Sequence, residues 1–308
     1  MPLDTLKNCG FPFFPYDNIT FISEIGRGAN GIVYKVKYNN ELYAIKEYNS
    51  YDWNEIEDFF KVIIYELNIA QRIKSLNHSV NTYGYSYKIL NDNIQIFIIM
   101  ELVVSVGDLF DYSQKSIFWK IYNNEKGYNY ITPYVDNNKK RWIYIMDILQ
   151  KKEVTILLIK SLIELHLKNI IHADIKSDNI IYTLKKNIKI VDFGASYISN
   201  KELIDIECKC GTDGYTAPEQ YSNKLSKKSD VYSIVITIIE FWNGEIWGDG
   251  NSYHSCRKEV LNALNIITKN HPNFANVLKQ GIHHDYKKRP SSIKLLHNVK
   301  KAFMNDRI

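Results

Sequence analysis

Four short runs in the chain bring together residue types suited to handling a phosphate group. Gly26-Arg27-Gly28-Ala29-Asn30-Gly31 is a G-x-G-x-x-G run. Glycines let backbone N–H groups come close to phosphate oxygens, because no side chain intervenes. A dinucleotide-binding fold would place a strand before this run, a helix after it and an acidic residue about 20 residues on. Strand-like sequence follows it instead, so a glycine loop between two antiparallel strands is expected, covering phosphates or serving as an ordinary hairpin. Tyr43-Ala44-Ile45-Lys46 ends an apolar strand on a lysine. A lysine there needs a counter-charge, and Glu66 on the helix that follows is the natural candidate. The alternative is a surface lysine and a surface glutamate, the commoner fate of both residue types. His172-Ala173-Asp174-Ile175-Lys176-Ser177-Asp178-Asn179 sets a carboxylate, an ammonium and an amide on one loop. Asp174 can orient a hydroxyl, Lys176 can neutralise a phosphoryl oxygen and Asn179 can ligate a metal. Asp192-Phe193-Gly194, after the next pair of strands, adds a second carboxylate suited to a metal.

The elements that must carry these residues follow from periodicity. Ile19–Ile22, Ile32–Val36 and Leu42–Lys46 read as three antiparallel strands, with Asn39-Asn40 as a turn. Asp58–Ser75 reads as a helix whose apolar face is Phe59, Val62, Ile63, Leu67, Ile69, Ala70 and Ile73. Tyr83–Tyr87 and Ile94–Leu102 read as two more strands. Beyond Val104 the pattern is mostly helical. Helices are expected over Glu153–Leu167, Asp230–Trp242 (apolar nearly all round), Arg257–Thr268, Phe274–Gly281 and Ser291–Met304. Short strands are expected at Ile180–Thr183 and Ile188–Val191. Residues 1–18 read as an irregular arm with aromatic anchors, and about 113–148 as an aromatic-rich insertion. A β-rich first third and an α-rich remainder predict an α+β, bilobal architecture with a cleft between the lobes: 19–103 and 104–308.

Composition narrows the functional classes. In 308 residues, 45% are apolar and 24% charged, enough for a packed core and against disorder. The net charge of +5 is too slight to make nucleic acid or an anionic membrane the main partner. Four cysteines argue against a disulfide scaffold, and Cys208 and Cys210 lack companions for a zinc site. No secretory signal is evident at the start, and Ile94–Val106 is too short to span a bilayer. An intracellular, cytoplasmic protein is expected. The skew toward Asn, Ile, Lys and Tyr fits an AT-rich coding sequence, such as that of a large DNA virus or a protozoan. A viral chain would work in the host cytoplasm or the virion.

Taken in order, these runs resemble the eukaryotic-type protein kinases, over about Ile19 to Met304. Gly211-Thr212-Asp213-Gly214-Tyr215-Thr216-Ala217-Pro218-Glu219 resembles the end of that family's activation segment. Asp230-Val231-Tyr232-Ser233 resembles the start of its central helix, and Arg289-Pro290-Ser291 a late motif whose Arg pairs with the activation-segment Glu, here Glu219. The resemblance implies ATP with Mg2+ (or Mn2+) and protein substrates. It places Gly26, Gly28 and Gly31 over the phosphates, Ile25 among the nucleotide-binding residues, and Lys46, paired with Glu66, on the α- and β-phosphates. Val33 and Ala44 would lie above the adenine and Ile181 below it. Met100 would sit at the back of the pocket, with backbone groups of Glu101 to Val103 facing the base. Asp174 would handle the substrate hydroxyl, Lys176 the γ-phosphate, and Asn179 and Asp192 the metal. Lys176 and Gly211-Thr212 resemble the serine/threonine-specific members.

Two positions depart from the family pattern. Ala173 stands where most members have the Arg that receives an activation-loop phosphate, so independence from that phosphorylation is expected. Ala70 stands where a larger apolar residue usually packs, a loss worth ~1–3 kcal/mol unless a neighbouring Phe or Tyr refills the space. Two other readings compete with an active protein kinase. A pseudokinase or scaffold module would normally lack one of Lys46, Glu66, Asp174, Asn179 and Asp192, all present here. A small-molecule kinase would usually lack Pro218-Glu219 and Arg289-Pro290.

Overall fold

The computed structural model describes residues 2–28, 31–52, 56–90, 93–103, 105–108, 132–136, 139–143, 148–207, 209–243 and 253–308. The chain divides into two compact units, 1–104 with 189–198, and 105–188 with 199–308.

The first unit is built on strands β1 (Thr20–Gly28), β2 (Gly31–Tyr38), β3 (Glu41–Asp52), β4 (Thr82–Leu90) and β5 (Asn93–Glu101), preceded by helix α1 (Pro2–Lys7) and joined by helix α2 (Ile56–Ile73). The sheet order is β1-β2-β3-β5-β4, antiparallel throughout. Both faces of its centre are buried, which explains the nearly unbroken apolar run from Ile94 to Ile99. Side chains alternate across a strand. Ile94, Ile96 and Ile98 therefore join Tyr48, Phe59, Phe60, Ile63 and Leu67 in one core cluster. Phe97 and Ile99 join Ile19, Val36 and Ile45 in a second.

The arm departs from the sequence expectation. Its first residues form α1, six residues long, with Asp4 in its first turn and Lys7 in its last, signs that suit a helix dipole. Tertiary burial stabilises it, since six residues are too few to hold a helix in water: Leu6 is buried in the core cluster with α2 residues. The aromatic anchors act as expected. Phe14 and Tyr16 pack on the second core cluster. Phe14 N–H donates to the Tyr85 carbonyl at 2.8 Å, and Tyr85 N–H donates to the Pro12 carbonyl at 3.1 Å. The arm thereby covers the open edge of β4, where unpaired backbone groups would invite association. A side chain at Gly84 would meet the Pro12 carbonyl at 2.4 Å, so glycine is required for this approach. On α2, Val62 is 53% exposed rather than part of the packed face.

In the second unit, β6 (Ser105–Asp108) pairs with a later strand, and β7 (Thr132–Asp136) and β8 (Lys139–Ile143) form a hairpin. Apart from that hairpin backbone and the start of the next helix, the expected insertion lies outside the described residues, as does Cys208. Helix α3 (Ile148–Leu167) is followed by short strands β9 (Ile170–Ile171) and β10 (Ile180–Thr183), the latter being the partner of β6. Helices α4 (Lys227–Asn243), α5 (Tyr253–Asn270), α6 (Pro272–Gly281) and α7 (Ser292–Asn305) complete it. Every residue of α4 from Ser229 to Trp242 is buried, as its apolar sequence requires. Trp242, Phe274 and Phe303 pack ring on ring between α4, α6 and α7, with centroids 4.7 and 4.8 Å apart along that chain. Among the described residues, no helix is long and apolar enough to cross a membrane.

Candidate active site

In the first unit, β3 lies between β2 and β5, with Lys46 opposite Val33 on one side and Ile98 on the other. Lys46 is buried. Its Nζ lies 2.9 Å from Asp192 Oδ1 and 3.5 Å from Glu66 Oε1 on α2. Burial alone would push the ammonium down, but the Glu66 and Asp192 charges outweigh it and hold the group above the ordinary lysine value. Asp192 is brought to this unit by backbone pairing: Ile190 N–H donates to the His78 carbonyl at 2.8 Å, and Val80 N–H to the Ile190 carbonyl at 3.1 Å. Its own φ of 60° is left-handed, a conformation that Asp tolerates better than most residues.

The glycine run forms the β1–β2 hairpin, with Gly28 opposite Gly31; Ala29 and Asn30 lie outside the described residues. Gly31 has φ of 136°, and a Cβ there would fall 2.0 Å from the Glu47 carbonyl, so no other residue fits. Val33 lies opposite Gly26 across the hairpin, and Ile25 is exposed. Ala44, buried, pairs with Met100. The Glu101 carboxylate accepts from Asn81 Nδ2 at 3.0 Å and pairs with Lys189 at 3.1 Å. Its backbone N–H donates to the Asn81 carbonyl at 2.8 Å. Val103 follows, half-buried. Ala70 is buried in the cluster that also holds Tyr48, Phe59 and Phe60, aromatic bulk of the kind expected to refill its space.

In the second unit, the loop from His172 to Asn179 is held from below by α4. Asp230, fully buried, accepts from the backbone N–H groups of His172 and Ala173, both at 2.8 Å. It also meets His166 Nε2 at 3.1 Å. These bonds hold Ala173 at φ of 68°, a left-handed conformation that costs an alanine about 1–2 kcal/mol. Asp174 then accepts from the Thr212 hydroxyl at 2.8 Å and from Asn179 Nδ2 at 3.3 Å. Lys176 Nζ donates to Thr212 Oγ1 at 2.9 Å. Asn179 Nδ2 also donates to the Asp174 carbonyl at 2.9 Å. Because its nitrogen is committed to Asp174, its amide oxygen remains as the group for a cation. Hard oxygen donors of this kind, an Asn amide and an Asp carboxylate, suit Mg2+. Ile181 lies on β10, opposite Asp108 of β6.

Glu219 and Arg289 form a two-pronged ion pair in this unit, at 2.8 and 2.7 Å, as the resemblance implied. Comparison with known sequences agrees with this set of motifs. The family described as "Protein kinase domain" matches residues 19–304. The chain belongs to the protein kinase family. With membership comes the bilobal α+β fold, a β-rich first unit and a mainly helical second one, and a family that as a whole transfers phosphate from ATP with Mg2+. Among the relatives, the chain is 29% identical over 254 residues to the serine/threonine-protein kinase KIC1 of Saccharomyces cerevisiae, covering 80% of this chain and 19% of that one. It is 28% identical over 233 residues to the probable serine/threonine-protein kinase fnkE of Dictyostelium discoideum, covering 71% and 15%. It is also 31% identical over 166 residues to the receptor protein-tyrosine kinase CEPR2 of Arabidopsis thaliana, covering 47% and 17%. The chain thus matches under a fifth of the length of these relatives.

Two residues of this kinase domain escaped the sequence reading. Tyr48 donates its hydroxyl to Glu66 Oε2, and the Lys46 Nζ lies 4.9 Å from its ring centroid. Its place two residues after Lys46 on a strand was the available signal, because period two puts both on one face. Gln220, fully buried, donates from Nε2 to the carbonyls of Ala173 and Cys210, both at 3.1 Å, and accepts from Ala217 N–H at 2.9 Å. It ties the residue before Asp174 to the segment before Thr212. Nothing in its spacing signals that role.

Proposed function

We propose that the chain is an active protein kinase that transfers the γ-phosphate of ATP to serine and threonine hydroxyls of protein substrates. The observation that carries this reading is the Asp174–Thr212–Lys176 arrangement, with Asn179 closing it. Asp174 is the acceptor for a substrate hydroxyl proton, and the Thr212 and Asn179 donors fix its orientation. Lys176, attached to the same threonine, would neutralise charge on the transferring phosphoryl group. In the first unit, Lys46 would hold the α- and β-phosphates, oriented by Glu66. The glycine hairpin, through Gly26, Gly28 and Gly31, would cover them, with Ile25 beside it as a further nucleotide contact. Val33, Ala44 and Ile181 would pack on the adenine, with Met100 behind it and Glu101 and Val103 offering backbone groups. Bound Mg2+, held by Asn179 and Asp192, would supply further charge neutralisation. Such a reaction needs positioning and electrostatic stabilisation more than covalent help.

Serine/threonine selectivity rests on Lys176 and Thr212, with support from KIC1 and fnkE, both named as serine/threonine-protein kinases. The cytoplasm, where ATP and protein substrates meet, is the proposed place of work. Incubation with radiolabelled ATP, Mg2+ and a generic protein substrate tests the activity and its selectivity. Label should appear on serine and threonine, and Asp174→Asn should lower the rate by about 10²–10⁴-fold, the scale of a lost general base. Label on tyrosine would reverse the selectivity. ATP binding without transfer would favour a scaffold module.

A further inference from the structure

Glu66 has two partners on β3, and they differ in what else they must do. Lys46 gives one N–H to Glu66 Oε1 at 3.5 Å and another to Asp192 Oδ1 at the shorter 2.9 Å. Tyr48, two residues on and on the same strand face, donates its hydroxyl to the other carboxylate oxygen, Oε2. Tyr48 and Glu66 are 7% and 8% exposed, so water cannot readily replace the phenol. The ring is set among Phe59, Phe60, Ile63, Leu67 and Ala70 of α2, with the Phe59 centroid 6.4 Å away. Burial, and then the Glu66 charge, push the phenol far above its usual titration range. It therefore stays a donor at any working pH.

We propose that Tyr48 is a positioning residue that holds helix α2 against β3 through Glu66, independently of Lys46. The inference rests on the nucleotide-binding role proposed above for Lys46. A lysine that must meet a phosphate and Asp192 cannot also be the sole tie of the helix. With the phenol in place, Lys46 can shift between carboxylates while Glu66, and the helix that carries it, stay where they are. Deleting the hydroxyl leaves a buried carboxylate oxygen without its donor, a loss that exceeds the net value of an ordinary hydrogen bond.

Amide hydrogen exchange and binding of a fluorescent ATP analogue with Mg2+ test this without any turnover. In Tyr48→Phe, exchange across 56–73 should rise about tenfold while 227–243 stays unchanged. Affinity for the analogue should fall by about the same factor. In a Glu66→Ala background, Tyr48→Phe should add nothing further. Lys46→Met should leave exchange across 56–73 within about twofold of wild type, because the phenol still holds Glu66. Unchanged exchange in Tyr48→Phe would overturn the proposal, as would an undiminished effect in the Glu66→Ala background. Equal acceleration in both segments would also overturn it, since that is general destabilisation. A chain that binds the analogue but transfers no phosphate would reject the proposed activity, while the exchange data would still decide the role of Tyr48.

Discussion

Each unit contains a buried ion pair, and the two are built differently. In the second unit, Arg289 and Glu219 have side chains 0% and 9% exposed. All five guanidinium N–H groups are used. Two go to Glu219, at 2.8 and 2.7 Å, and three to the carbonyls of His283, Lys228 and His284, at 2.7, 2.9 and 3.1 Å. Ser229 adds a hydroxyl to Glu219 at 2.7 Å. Tyr232 lies under the guanidinium, 5.0 Å away. In the first unit, Lys46 meets Glu66 through one long contact and divides itself with Asp192. Saturated, planar and bidentate geometry makes a fixed brace, whereas a shared ammonium on a flexible stem makes a part that can move to a ligand. The Arg289 pair fixes Glu219 in place, and the Lys46 pair has the freedom that the role proposed for Lys46 would need.

Removing the guanidinium should give the largest effect. Arg289→Ala leaves Glu219 buried without its counter-charge and takes a donor from three carbonyls, for a loss of about 3–5 kcal/mol in denaturant unfolding. Arg289→Lys should recover little, because three N–H groups cannot replace five. Lys46→Met should cost much less, since Glu66 keeps the Tyr48 hydroxyl. An equal loss from Lys46→Met would erase the distinction between brace and working pair.

The sheet centre and the central helix were legible because burial on all sides left continuous apolar sequence: Ile94 to Ile99 on β5, and Ser229 to Trp242 on α4. The candidate catalytic residues stood out because several short motifs, each weak alone, follow one another in one order across a β-then-α pattern. Asp192 and Lys46 needed only motif and order. What could not be read depended on tertiary contact. Helix α1 is too short to announce itself and exists because Leu6 finds the core. Val62 fits the helical stripe, yet the packed face of α2 is narrower than its apolar sequence. Gln220 is one polar residue after a motif, and its value comes from carbonyls 47 and 10 positions earlier.

Gln220 extends the brace with neutral groups. Gln220→Leu keeps the approximate volume but leaves the Ala173 and Cys210 carbonyls and the Ala217 N–H without this partner. The expected loss is about 1–3 kcal/mol, together with a fall in kcat larger than the change in the KM for ATP, since the amide acts on the loop carrying Asp174. Because Ala173 offers only a methyl group, no guanidinium can hold the segment to that loop from this position. A variant with wild-type kcat would restrict the brace to Arg289.

The smallest effect should come from a pair that resembles the brace in composition only. Lys209 and Asp213 lie four residues apart in the activation segment, with side chains 38% and 50% exposed. Tyr221 adds its hydroxyl to Asp213 at 2.9 Å, and its ring lies 4.4 Å from the Lys209 Nζ. The Lys209 hydrogen bond, foremost, holds the Asp213 carboxyl below the ordinary aspartate value. A carboxyl depressed in the folded state stabilises it above the unfolded pKa, and that contribution is lost as pH falls through the folded value. Solvent screens a pair this exposed, so Lys209→Ala should change stability at pH 7 by less than about 0.5 kcal/mol. The same substitution should move the Asp213 titration, followed by NMR, upward toward the ordinary value. If Lys209→Ala instead cost as much as Gln220→Leu, burial and saturation would not be what separates the brace from the rest. The number of opposite charges within reach would then be the better guide to which contacts hold the segment.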